Sequence, residues 1–163
     1  MRHGGGHRRR RGWFGAALGV LVLTGCSTTG PGPTLETEVR FYRDLWDATR
    51  PASYVYAVRH TCFCGPTAIG PVRVTVGPSG VTSREYVDLG IPFEPSLADV
   101  FPDIDGLFDV LEDAIERDAH QIQVTWDETR GYPLEIYIDY EDFIADEEQG
   151  FVITELPEVV GQR

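Results

Sequence analysis

No lysine occurs in this chain of 163 residues: all 14 of its cationic side chains are arginine. Acid is missing from the start, the first acidic residue being Glu36. Long apolar runs are missing as well. The longest mostly apolar stretch, Trp13 to Leu23, has eleven residues. At about 1.5 Å rise per residue it spans roughly half of a ~30 Å hydrocarbon core, which excludes a membrane helix there. No G-x-S-x-G, H-E-x-x-H or phosphate-loop pattern is present, and Ser53, Ser79, Ser83 and Ser96 have no evident histidine partner. No motif of an enzyme is thus in view and no cofactor is expected, although the cysteines keep a redox enzyme open. Cysteine is scarce, at three. Cations are outnumbered, 14 Lys+Arg against 26 Asp+Glu for a net charge of −12, which argues against nucleic acid as a partner. What is present, 42% hydrophobic and 25% charged residues, is ordinary for one folded domain with a real core.

Five arginines and no acid lie in residues 1–11, directly before the Trp13–Leu23 stretch. That order is the basic and apolar part of an export signal. Leu23-Thr24-Gly25-Cys26 follows, and it resembles the lipobox of bacterial lipoproteins. The resemblance implies that the Cys26 thiol is diacylglycerylated, that the bond before it is cut, and that the new amine is acylated (palmitate). Residues 1–25 are thus expected to be a removed signal peptide. Residues 26–33 would be the lipidated cysteine and a flexible tether, since Ser27 to Pro33 are all small residues, Gly or Pro. Residues 34–163 would be a single globular domain. Arg10-Arg11-Gly12-Trp13-Phe14 also looks like a twin-arginine motif, so general secretory and twin-arginine export both stay open. Without its first 25 residues the chain would hold nine arginines against 26 acids, a formal charge of −17. An anionic membrane surface repels such a domain, so the acyl chains would have to do the anchoring.

From Thr34 onward the periodicities alternate between helix and strand. Leu35, Val39, Tyr42, Leu45 and Trp46 form one helical stripe, ended before Pro51, with Glu36–Arg40, Arg40–Asp44 and Arg43–Asp47 expected as i,i+4 pairs on its outer face. Ser53 to Cys64 reads as a strand with Tyr54, Tyr56, Val58, His60, Cys62 and Cys64 on one face. Val72–Val76 and Val81–Val87 flank a Gly77-Pro78-Ser79-Gly80 turn, and a Pro- and Gly-rich loop is expected over residues 88–102. A second helix carries Ile104, Leu107, Phe108, Leu111, Ala114 and Ile115 behind an Asp103 cap. Its acidic outer face (Asp109, Glu112, Asp113, Glu116) is read as solvated rather than as a cation site. Strands follow at His120–Trp126, Leu134–Tyr140 and, shorter, Phe151–Leu156. The order α-β-β-β-α-β-β-β implies an α+β fold, an antiparallel sheet of about six strands with two helices on one face.

Tyr54-Val55-Tyr56, Cys62-Phe63-Cys64, the Ile104–Ile115 helix, Gly131-Tyr132-Pro133, and Asp139-Tyr140 with Asp146-Glu147-Glu148 occur in that sequence over residues 54–156. Together they resemble a family of small exported bacterial domains of unknown function, many of them lipoproteins. The resemblance implies location and fold and no activity.

With Cys26 consumed by lipid, Cys62 and Cys64 remain as an even pair, and three readings stay open for them. Beyond the membrane a structural disulfide is the plainest. On an extended strand the Cα atoms would stand about 6.6 Å apart, near the upper limit for a bridge, so a bend near Gly65 is expected. A redox-active dithiol is the second reading, with His60 its one nearby cation. Metal capture by His60, Cys62 and Cys64 is the third, with His120 as the evident fourth ligand. His60 and His120 are otherwise expected to be buried strand residues, the acids after Asp139 a polar loop, and Gly131-Tyr132-Pro133 a turn with Tyr132 packed over the hairpin. The function expected is that of a lipid-anchored, outward-facing binding module of a bacterial cell membrane. Its partners would be the membrane, through the lipid, and an envelope protein or peptide.

Overall fold

Thr34 starts the fold by capping helix α1 (Leu35–Thr49), its Oγ1 accepting the Thr37 N–H at 3.3 Å. Arg50, next to Pro51, is already extended at ψ 136°, as the residue before a proline must be, and the helix ends there. The computed structural model describes Met1, residues 34–144 and residues 146–160. The expected signal peptide, the lipidated Cys26 and the tether lie outside the described residues, apart from Met1.

Six strands follow: β1 (Tyr54–Cys62), β2 (Val72–Gly77), β3 (Gly80–Tyr86), β4 (Gln121–Trp126), β5 (Pro133–Asp139) and β6 (Gln149–Val159). They form one antiparallel sheet in the order β3-β2-β1-β6-β5-β4. Two three-stranded meanders are thus joined along β1 and β6 at the centre. The second long helix, α3 (Ile104–Glu116), is capped by Asp103, whose Oδ1 accepts the Gly106 N–H at 2.9 Å. α1 and α3 cover one face of the sheet and bury Val39 and Trp46 from α1 and Leu107, Phe108, Leu111 and Ala114 from α3. Trp126 ties the layers together. It stacks on Tyr42 at 4.5 Å and Phe108 at 5.7 Å, and its Nε1 donates to Glu38 Oε1 at 2.8 Å. Among the described residues the opposite face has no helical cover, and there Arg73 and Glu155 form a bidentate pair across β2 and β6 at 2.7–3.1 Å.

The α+β class and the six-stranded antiparallel sheet agree with the sequence, but the expected order lacks two elements. A one-turn helix α2 (Pro66–Ile69) sits between β1 and β2, and a 3-10 helix (Pro95–Val100) lies in what reads as a loop. Both start at a proline, where the absent N–H is not needed, and both are too short to show a periodicity. β6 is the longest strand, not a short one. Pro157 hides its extent, because a proline inside a central strand argues against one. It is accommodated where the β1–β6 register slips between Val55 and Ala57.

The expected pairs along α1 also do not form. Arg43 reaches instead across to α3, to Asp109 at 3.0 Å and Glu112 at 2.8 Å, and Arg50 bridges Asp47 and Asp105. A helix packed beside another offers its arginines closer acids than its own next turn does. The acidic face of α3 is thereby partly used as an inter-helix seam. His120 precedes β4 and is exposed, pairing with Asp142 at 3.2 Å, so it does not face the core.

Candidate functional site

Most of the motif residues turn out to build the scaffold. Tyr56 donates its hydroxyl to the Pro102 carbonyl, and Tyr54 Oη accepts the Ile104 N–H at 3.3 Å. The two tyrosines of β1 therefore hold the start of α3, satisfying a backbone donor that every helix leaves free at its first turn. Burial raises both phenols well above their ordinary range. Asp105 in that first turn accepts Trp46 Nε1 at 3.0 Å and pairs with Arg50, which clamps α1 to α3. Gly131 lies at φ +88° against the α1 backbone, and Tyr132 is fully buried edge-on to Trp46, with centroids 5.8 Å apart. Burial and the neighbouring Asp127 push the Tyr132 phenol up to about 12. Tyr132 thus enters the core under α1 and not merely the hairpin surface.

Cys62-Phe63-Cys64 is different, because it projects from the end of the sheet. β1 stops at Cys62, which pairs with Gln149, and the chain bends at Phe63 and Cys64. Cys64 is therefore not on the strand face with Tyr54, Tyr56, Val58 and His60, as expected; it is exposed, while Cys62 is half-buried. The bend falls before Gly65, the residue that precedes and caps α2. It brings the two Cα atoms to 5.3 Å and the sulfurs near bonding distance. Phe63, between them, is 85% exposed. A groove of about 400 Å³ opens beside the pair, lined by Thr61, Cys62, Phe63, Tyr137, Glu148 and Gln149.

His60 supports this turn from below. Its ring stacks on Phe151 at 4.9 Å, and Nδ1 lies 3.1 Å from the Ala68 carbonyl and 3.3 Å from Cys62 Sγ. A carbonyl only accepts, so this assigns the hydrogen to Nδ1 and lets the same N–H face the sulfur. Nε2 is buried without a hydrogen-bond partner. Gln149, whose amide donates to Tyr140 Oη at 3.0 Å, is near enough to favour the protonated ring without reaching bonding geometry.

The sequence missed three parts of this site. Ala68 comes from the unexpected helix α2, whose one available signal was Gly65-Pro66, a cap followed by a helix-starting proline. Gln149 falls in a segment read as loop. Phe143 and Ile144, 95% and 49% exposed, stand in the β5–β6 connection at the same end of the sheet. Ligand atoms of His60, Cys62 and Cys64 all lie within 4.8 Å of one another, and no fourth His, Cys, Asp or Glu joins them among the described residues. His120, the expected fourth ligand, precedes β4, three strand spacings or about 14 Å from β1. Among the described residues the three do not complete a closed tetrahedral site.

A family of unknown function (DUF6174) matches residues 38–158. The chain belongs to this family. The matched span holds both tyrosines of β1, the cysteine pair and Gly131-Tyr132-Pro133, and it excludes Cys26. Membership therefore describes the domain and leaves the anchor aside. No curated protein and no solved structure matches the chain. Among the described residues no helix is long and apolar enough to cross a membrane.

The His60 environment makes stability depend on pH. Burial holds the imidazole below its ordinary 6.5, against the smaller opposing effects of the Ala68 carbonyl and Gln149. The unfolded chain therefore binds this proton more readily than the folded domain does. The contribution is complete above 6.5 and is lost as pH falls through the lower folded value. Urea unfolding between pH 7.5 and 5 should show a fall in stability that is absent in His60→Asn. Parallel curves for the two proteins would count against it.

Proposed function

We propose that this chain is a lipid-anchored, outward-facing domain of the bacterial cell envelope, and that it docks a protein partner with the end of its sheet around Phe63 and Phe143. The observation that carries the docking reading is the exposure of those two rings, 85% and 95%, on loops that flank the Cys62–Gln149 pairing. Burying a phenylalanine is favourable by roughly 1.5–3 kcal/mol, so two rings held in water at one end of a well-packed domain point to a partner that covers them. Glu141, Asp142, Asp146 and Glu148 surround Phe143 in sequence, so the complementary surface is an apolar pocket rimmed by arginine or lysine. The anchor rests on the Arg-rich start, the apolar stretch and Leu23-Thr24-Gly25-Cys26. Lipid at Cys26 would hold a strongly acidic domain at a surface that otherwise repels it.

Two measurements test this. Cys26→Ser should move the protein from the membrane fraction to the soluble fraction almost completely; retention in the membrane would remove the anchor. A photoreactive residue at position 63 should give one discrete protein adduct in cells, abolished by Phe143→Ser. A smear of unrelated adducts, or an adduct indifferent to Phe143, would overturn the docking surface.

A further inference from the structure

We propose that Cys62 and Cys64 form a thiol–disulfide exchange centre in which Cys64 is the sulfur attacked by substrate and Cys62 is the leaving group received by the His60 N–H. This goes beyond the docking reading and does not depend on it. Two observations set the polarity, and two more favour exchange at this pair. Cys64 is exposed beyond the end of β1, whereas Cys62 is half-buried on the strand. His60 Nδ1 lies 3.3 Å from Cys62 Sγ, and a donor at that distance stabilises the thiolate that leaves. The groove, lined by Cys62 and the exposed Phe63, gives an incoming polypeptide a surface to rest on beside the bridge, with Cys64 at its exposed outer side. Finally, the bridge joins residues only two apart. Stabilisation by a cross-link grows with the length of the loop it closes, so this one contributes little as a staple.

The substrate is a polypeptide dithiol. One of its thiolates attacks Cys64 Sγ; a substrate–Cys64 bond forms, the Cys62–Cys64 bond breaks, and the electron pair leaves on Cys62 Sγ. The second substrate thiolate then attacks its partner sulfur in the mixed disulfide, and Cys64 leaves as thiolate. Two electrons have passed from the substrate, now a disulfide, to the pair, now reduced, and the two thiol protons end on Cys62 and Cys64. A protein or low-molecular-weight disulfide restores the pair by the same steps reversed.

The test uses the full chain carrying Cys26→Ser, so that only the pair reports. After reduction, at about pH 10, where both thiols are ionised and access alone separates them, iodoacetamide should label the exposed Cys64 at least about tenfold faster than Cys62. Opening of the oxidised pair by glutathione should slow about tenfold or more in His60→Leu and less than about threefold in His60→Asn, whose amide can donate from the place of Nδ1. Should His60→Leu fail to fold, the labelling polarity and the His60→Asn rate still decide the matter. Equal labelling of the two cysteines, or an opening rate unchanged in His60→Leu, would overturn the proposal. So would a reduced pair that binds one zinc ion per chain and does not reoxidise with glutathione disulfide.

Discussion

Gly131→Ala should unfold about 10–15 °C below the parent domain, a loss of roughly 3 kcal/mol. Two separate costs add at this position. The backbone sits at φ +88°, a left-handed conformation that costs an L-residue with a Cβ about 1–2 kcal/mol. A Cβ placed there would also stand 2.5 Å from the Tyr42 carbonyl oxygen and 2.7 Å from the Trp46 nitrogen. Both are main-chain atoms of α1, which cannot rotate aside, so the helix itself must shift off the sheet, with an overpacking cost of about 1–3 kcal/mol. Gly131→Asn separates the two terms. Asparagine tolerates the left-handed region but keeps the Cβ, so it should recover part of the loss and no more. Thermal and urea unfolding of the three proteins checks this, and an Ala variant within 3 °C or so of the parent would show that α1 is not seated against the turn.

Trp46→Ala should cost about 4 kcal/mol, a large share of the 5–15 kcal/mol that holds a domain of this size together. The indole is fully buried, edge-on to Tyr54 at 5.4 Å and to Tyr132 at 5.8 Å, and it gives its N–H to Asp105. One side chain of α1 thus packs on residues from β1 and from the turn before β5, and is bonded to the first turn of α3. Truncation would leave a cavity bordered by all three and strip Asp105 of one donor. Trp46→Phe fills most of the cavity and loses the N–H, so it should cost about 1.5 kcal/mol, with Arg50 still bound to Asp105. If the Phe variant were as unstable as the Ala variant, the hydrogen bond and not the packing would be the dominant contribution.

These two positions show where sequence patterns carried the fold and where they stopped. Stripes long enough to repeat, such as Val39 to Trp46 and Ile104 to Ile115, located both long helices, because each buried side implies the next by helical spacing; the Asp103 cap was legible too, the Thr34 cap was not. Alternation did the same for β2 to β5. What remained hidden had no period to display. α2 is four residues long, and the register slips that let Pro157 into the centre of the sheet are set by pairing with β1, not by β6 itself. Charge pairs were misplaced for a related reason. Spacing along α1 says which acids Arg43 could reach within its own helix, but not that α3 would come closer. At the cysteines the sequence reading foresaw the close pair, while the contact of His60 with Ala68 and Cys62 depends on the turn that α2 makes.

The way the sheet is joined also has a consequence for synthesis. The ladder at its centre couples Tyr54 with Val159 and Cys62 with Gln149, residues about a hundred positions apart at its outer end. Until residues 149–159 have left the ribosome, the hairpins β1-β2-β3 and β4-β5 each carry an open edge. The two halves can be joined only once that segment is available, so the central ladder forms last. Contacts so distant along the chain make folding slow relative to helical domains of equal length. The time between synthesis and closure is therefore written into the order of the strands.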